Sequence, residues 1–217
     1  MGPASNSVRK ATKVGGKASK AAAFSASFDL IVIGCSLGGM HALQVIFSGL
    51  PESFCVPIVV AQHRHKASNE GLPAYFRRRT ELKVVDADDK QWIKPGHVYL
   101  APADYHLLVD KGGELNLSVD EAVRFSRPSI DVLFESAADA FGSRVLGLIL
   151  TGSNADGALG AVRIKSRKGT VVVQDPATAE APAMPQAAID AVQVDRILPL
   201  DQIASFLTDK CSTAVSS

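Results

Sequence analysis

The sequence predicts an α/β domain built on a mostly parallel, doubly wound sheet with helices on both faces. Three observations carry this. Short runs over residues 28–34, 56–62 and 145–150 are apolar nearly throughout rather than alternating, as strands are when both faces of a sheet are buried. Segments with apolar residues at helical spacing separate them, and strand alternating with helix is the pattern of parallel sheets. The runs also stop at glycine or polar turns, where such folds place their ligands.

In chain order, residues 28–34 read as a buried strand and 39–47 as a helix. Residues 56–62 form a second strand, and 69–79 a helix with Tyr75 and Phe76 inward and three arginines at its end. The middle third changes character. Residues 84–85, 97–101, 106–109 and 114–119 are short and partly alternating, and Asp110-Lys111-Gly112-Gly113 is a hairpin turn signal. An antiparallel hairpin is therefore expected beside the parallel sheet. Helices follow at 129–141, 157–168, 185–191 and 201–210, with strands at 145–150 and 170–174.

The chain has 217 residues, of which 47% are hydrophobic, and a formal net charge of +1. One domain with a sizeable core fits that length, and so balanced a charge points to neither nucleic acid nor an acidic membrane surface. No apolar run approaches the ~18–20 residues that span a bilayer. Cys35, Cys55 and Cys211 fit no metal spacing and are too few for a disulfide framework, which favours a reducing, cytoplasmic setting. Residues 1–27 hold Arg9, Lys10, Lys13, Lys17 and Lys20 and no acid. They read as a disordered basic leader, with a transit peptide as the alternative. The folded domain is expected over 28–210 and a flexible tail over 211–217.

Three loops at predicted strand ends carry unusual polar residues. One holds Ser36 in Gly34-Cys35-Ser36-Leu37-Gly38-Gly39, the next holds Gln62-His63-Arg64-His65, and the third holds Thr151-Gly152-Ser153-Asn154-Ala155-Asp156-Gly157. In a parallel sheet all three open on one edge. A serine hydroxyl needs a neighbouring base to take its proton and a carboxylate to hold that base in the right tautomer. Ser36, His63 and Asp156 supply those types, and the glycine turn would leave N–H groups at a helix start free for an oxyanion.

Each residue also has a plainer reading. The Ser36 turn could be a dinucleotide fingerprint, but no acid closes a second strand ~20 residues on, where ribose binding needs one. His63 could be structural, Asp156 could cap the helix after it, and His63 with His65 could ligate a metal. Cys35 is a rival nucleophile that the strand would point into the core. The Gly-x-Ser-x-Gly string invites an α/β-hydrolase reading, but that fold orders its triad Ser, Asp, His. Here the histidine precedes the aspartate, and no histidine follows His106.

From about residue 28 to 207 the chain resembles the catalytic domain of the chemotaxis receptor methylesterases, the CheB family. The residues that carry the likeness are Ile33-Gly34-Cys35-Ser36-Leu37-Gly38-Gly39, Gln62-His63, Pro95-Gly96-His97-Val98-Tyr99-Leu100-Ala101-Pro102 and Arg127-Pro128-Ser129-Ile130-Asp131-Val132-Leu133-Phe134. Leu150-Thr151-Gly152 with Asp156-Gly157, and Ala183-Met184-Pro185, complete the set. The resemblance implies a three-layer α/β/α domain that hydrolyses glutamyl methyl esters on chemoreceptor helices, and in many members deamidates receptor glutamines. It implies Ser36 as nucleophile, His63 as base and Asp156 as orienting carboxylate, with no cofactor or metal. The implied partner is a methylated chemoreceptor, with no nucleic acid and no membrane insertion.

Three stretches depart from the family's pattern. Leu37 stands where threonine is common, Arg64-His65 where Met-Pro is usual, and Ser153-Asn154-Ala155 where Met-Gly-x is common. Leu37, Gly38 and Ser153 are the implied oxyanion and turn residues, and Arg64 and His65 a substrate rim. The altered rim keeps two other readings open: a CheB-like binding or regulatory protein with retuned or lost chemistry, and an esterase for another substrate. Residues 1–27 are too few for the receiver domain that family members commonly carry.

Overall fold

The computed structural model describes residues 28–64 and 71–211. The expected leader, His65, and the tail from 212 onward lie outside the described residues. Seven strands form one sheet, parallel throughout, in the order β3-β4-β2-β1-β7-β8-β9. They are β1 (Leu30–Cys35), β2 (Ile58–Gln62), β3 (Lys83–Asp86), β4 (His97–Leu100), β7 (Val145–Ile149), β8 (Thr170–Gln174) and β9 (Arg196–Leu198). The hairpin β5 (His106–Val109) and β6 (Leu115–Ser118) makes a separate two-stranded antiparallel sheet. Every residue of β1, β2 and β7 is buried, which is why those three runs are apolar rather than alternating.

Successive side chains of a strand point to opposite faces, and β1 divides the core accordingly. Ile31, Ile33 and Cys35 pack against α1 (Gly39–Gly49), α2 (Leu72–Arg77) and α6 (Leu200–Cys211). Leu30 and Val32 pack on the other side, against α3 (Ile130–Phe141), α4 (Ala158–Ser166), α5 (Ala183–Ala191) and the hairpin. Helix α1 buries Gly39, Ala42, Leu43, Ile46 and Phe47, an i, i+3, i+4, i+7 stripe that fits it to a sheet. The hairpin turns Leu107, Val109 and Leu115 inward.

One close approach sets the position of everything at the sheet's edge. A Cβ on Gly34 would lie 2.2 Å from Ile130 Cγ2, and one on Gly157 2.7 Å from the same atom. Only hydrogen at those two positions lets the first turn of α3 sit directly on the end of β1. Gly157 also has φ +98°, a conformation that glycine adopts at little cost.

The structure amends the element reading in three places. The edge strand β9 was not anticipated. It is three residues long with two of them exposed, too short and too wet to leave an apolar run. Cys211, expected in the tail, is the last residue of α6 and is buried beneath it. Helix α5 begins at Ala183 and takes Pro185 within its first turn, where a missing N–H costs no helix bond.

Candidate active site

Strand β1 runs between β2 and β7 with Cys35 level with Gln62 and Gly34 level with Ile149. The chain leaves β1 toward β2 on one side and returns to β7 on the other, so the three strand ends border the switch point of the sheet. Backbone bonds continue just past the strands. Ser36 N–H donates to Thr151 O at 2.9 Å, His63 N–H to Cys35 O at 3.0 Å, and Leu150 N–H to Gly34 O at 2.9 Å. Ser36, His63 and the loop to Asp156 are therefore held at one level.

His63 Nε2 donates to Asp156 Oδ2 at 2.7 Å. Asp156 is fully enclosed, with no side-chain exposure, while 13% of His63's side chain is exposed. The same carboxylate accepts three more bonds. Ile130 N–H reaches Oδ2 at 2.7 Å, and Asp131 N–H and Ser129 Oγ reach Oδ1, each at 3.0 Å. Asp156 thus caps α3, a helix far away in sequence, and not α4, which follows it. The unpaired N–H groups and positive end of α3 are what a buried carboxylate requires. Burial pushes the Asp156 carboxyl up, but the bonds from His63, Ile130 and Asp131 outweigh it and hold it below the usual carboxylate range.

The arrangement is reciprocal. Asp131, in the first turn of α3, accepts from Gly157 N–H at 2.9 Å and Gly160 N–H at 2.8 Å at the start of α4. Burial, reinforced by the charge of Asp156, raises the Asp131 carboxyl despite those bonds and nearby Arg124. Behind this pair, the buried ring of His106 accepts Ser129 N–H at Nδ1, 3.2 Å, so its Nε2–H donates to Glu121 O at 3.0 Å. A continuous polar chain runs from His106 through Ser129 and Asp156 to His63.

With Nε2 committed to Asp156, the ring's remaining nitrogen is Nδ1. Asn154 Nδ2 lies 3.5 Å from it, while Asn154 Oδ1 accepts Asp156 N–H at 3.1 Å. That second bond fixes which amide atom faces the ring, so both neighbours select the neutral tautomer with its proton on Nε2.

Ser36 is partly exposed. With Gly38, Gln62, His63 and Glu180 it lines a hollow of about 550 Å³. On the other side, His63 walls a second hollow of about 530 Å³ with Arg64, Asp104, Phe125 and Arg127. The N–H groups of Leu37, Gly38 and Ser153 donate to no acceptor among the described residues. Arg64, read from sequence as rim, lines the second hollow with its side chain set into the wall. Its side chain is 9% exposed, and Nη2 donates to Ala101 O at 2.6 Å and to Asp86 Oδ1 at 3.4 Å. Cys35, the rival nucleophile, is fully buried with its thiol pushed far up by burial.

Four residues that support the site were not singled out as functional in the sequence. Thr151 Oγ1 donates to Leu37 O at 2.9 Å and accepts Ala181 N–H at 2.8 Å, tying the Ser36 turn to the loop before α5. Gln174 Oε1 accepts Thr151 N–H at 2.9 Å. Ser129 and Asn154 brace Asp156 and His63. Gln174 and Thr151 are polar residues at the ends of buried strands, the same signal that marks His63.

The family model for CheB methylesterase matches residues 31–207. The chain belongs to the CheB methylesterase family. The Thermotoga maritima CheB methylesterase catalytic domain superimposes on it with a TM-score of 0.81 at 34% identity, covering 84% of this chain and 98% of that one. A Leptospira interrogans relative is 45% identical over 178 residues, covering 82% of this chain and 92% of its own length. A protein-glutamate methylesterase/protein-glutamine glutaminase of Carboxydothermus hydrogenoformans is 43% identical, over 81% of this chain and 53% of its own. The CheB fold accounts for the three layers and the all-parallel main sheet described above. Among the described residues no helix is long and apolar enough to cross a membrane.

Proposed function

We propose that this CheB-family chain is a carboxylic ester hydrolase that removes methyl esters from glutamyl side chains of chemoreceptor segments, acting in the cytoplasm. The observation that carries the reading is the 2.7 Å bond from His63 to a fully enclosed Asp156, at the strand end next to Ser36. In this reading His63 Nδ1 takes the Ser36 proton as Oγ attacks the ester carbonyl. The N–H groups of Leu37, Gly38 and Ser153 are the proposed donors to the oxyanion. As the tetrahedral intermediate collapses, the carbon–oxygen bond to the methoxy group breaks and His63 returns the proton, so methanol leaves. Water then attacks the glutamyl ester of Ser36, again through His63, and releases the glutamate side chain. Asp156, kept ionised by its four hydrogen bonds, stabilises the imidazolium in both steps.

A glutamine side chain enters the same sequence with ammonia as the leaving group, which is how deamidation would arise from one site. The names of relatives, among them the Thermotoga maritima protein-glutamate methylesterase/protein-glutamine glutaminase, support both activities. The test is methanol release from a methylated receptor fragment. Catalytic release by the purified chain is expected. Turnover of small acyl esters without any release from methylated receptors would redirect the proposal to another substrate.

A further inference from the structure

We propose that the turn bearing Arg124 and Phe125 is the docking point for the receptor peptide segment that presents its glutamyl methyl ester to Ser36. The inference rests on the esterase reading above and extends it to where the polypeptide lies. Val123 and Ser126 close a two-residue turn, with N–H to O distances of 3.2 Å and 2.9 Å in the two directions. Both central residues have positive φ, 48° at Arg124 and 65° at Phe125. Turns of this hand favour Asn and Gly, because a Cβ crowds the backbone there. Here the turn carries arginine and phenylalanine, so the surrounding structure holds it against local preference.

The effect is to hold Phe125 wholly in solvent, at 103% relative exposure, with Val119 of the same segment at 67%. Phe125 lines the hollow that His63 also walls. Phe125 and Val119 together form an exposed apolar pair beside this hollow, where a partner could bury them.

The charges around this hollow are compensated, which suits a segment whose glutamyl side chain is a neutral methyl ester. Of the charged side chains that line this hollow, Arg127 donates to Asp104 at 2.6 Å and Arg64 donates to Asp86 at 3.4 Å. Arg124 adds a further cation at the lip, with 46% of its side chain exposed and Asp131 3.8 Å away. A glutamyl methyl ester carries no charge, so a segment that presents one meets this balanced border without leaving a charge unpaired. His63 is a wall of both hollows. A peptide that spans both hollows therefore meets His63 between Ser36 and Phe125.

The test compares the full wild-type chain with F125A and F125W, on a methylated receptor cytoplasmic fragment and on p-nitrophenyl acetate. F125A is expected to raise KM for the fragment about tenfold, with kcat within about twofold. Turnover of the small ester is expected to be unchanged, and F125W to restore KM. An unchanged KM in F125A, or an equal loss on both substrates, would overturn the assignment. So would a dimer that F125A dissociates without affecting KM, since Phe125 would then join two copies of the chain. If the wild type releases no methanol from the fragment, it is the proposed function that fails. Docking is then read from the tryptophan emission of F125W minus that of wild type, which contains Trp92; the difference shifts on adding the fragment if the assignment is right and stays unmoved if it is wrong.

Discussion

Ser36→Ala lowers the rate of methanol release from methylated receptor by about four to six orders of magnitude, the loss seen when a triad loses its nucleophile. The protein stays folded. Ser36 Oγ makes no hydrogen bond among the described residues, and its backbone bond to Thr151 O does not involve the side chain. Cys35 cannot substitute, because it is fully buried beneath α1 with a thiol that burial keeps protonated. The measurement is initial methanol release, with thermal unfolding of the same preparation as control. A variant that retains wild-type rate would remove Ser36 from the chemistry, and one that unfolds would leave the rate loss uninterpretable as catalysis.

The second large effect is at Asp156, where catalysis and stability meet. Asp156→Ala strips the partner from Ile130 N–H, Asp131 N–H, Ser129 Oγ and His63 Nε2 together. Buried donors without acceptors cost about 1–3 kcal/mol each before relaxation. A loss of about 3–5 kcal/mol in denaturant unfolding is expected, the range for removing one partner of a buried charged group. Asp156→Asn separates the two roles. Its carbonyl can still serve Ser129 and Asp131, but its NH2 would face His63 and Ile130. That donor reverses the tautomer and places the ring proton on Nδ1, so the rate falls by about four orders of magnitude with a smaller loss of stability.

The acid limb follows from the same group. The Asp156 carboxyl is held below its ordinary value in the fold. Its stabilising contribution is therefore present above the unfolded value of about 3.9 and lost as pH falls through the lower folded value. Wild type should lose stability relative to Asp156→Asn below about pH 4. Asp131, raised by burial, contributes with the opposite sign.

Much of this candidate site was legible in the sequence because its loops lie where a parallel sheet puts sites. Continuous apolar runs located β1, β2 and β7, and the strand-end rule then selected Ser36, His63 and Asp156 without reference to distance. What stayed hidden was what each residue leans on. Asp156 beside Gly157 reads locally as a cap for α4, yet Gly34 lets α3 approach β1 so closely that the carboxylate caps α3 instead. Arg64 reads as rim because nothing nearby in sequence would bury it, but β4 ends beside it and offers Ala101 O. Asn154 occupies a turn where only the fold reveals that its amide meets His63. The hairpin was visible from its glycine turn, while its separation from the main sheet depends on packing against α3. In each case the missing information was a partner distant along the chain.

Activation of Ser36 as a nucleophile by the His63–Asp156 pair is measured by reaction with a fluorophosphonate and mapping of the adduct by mass spectrometry. One adduct is expected, on Ser36, formed by the folded wild type and lost in His63→Ala and on unfolding. Methanol release with no adduct on Ser36, or an adduct on another side chain, would contradict it.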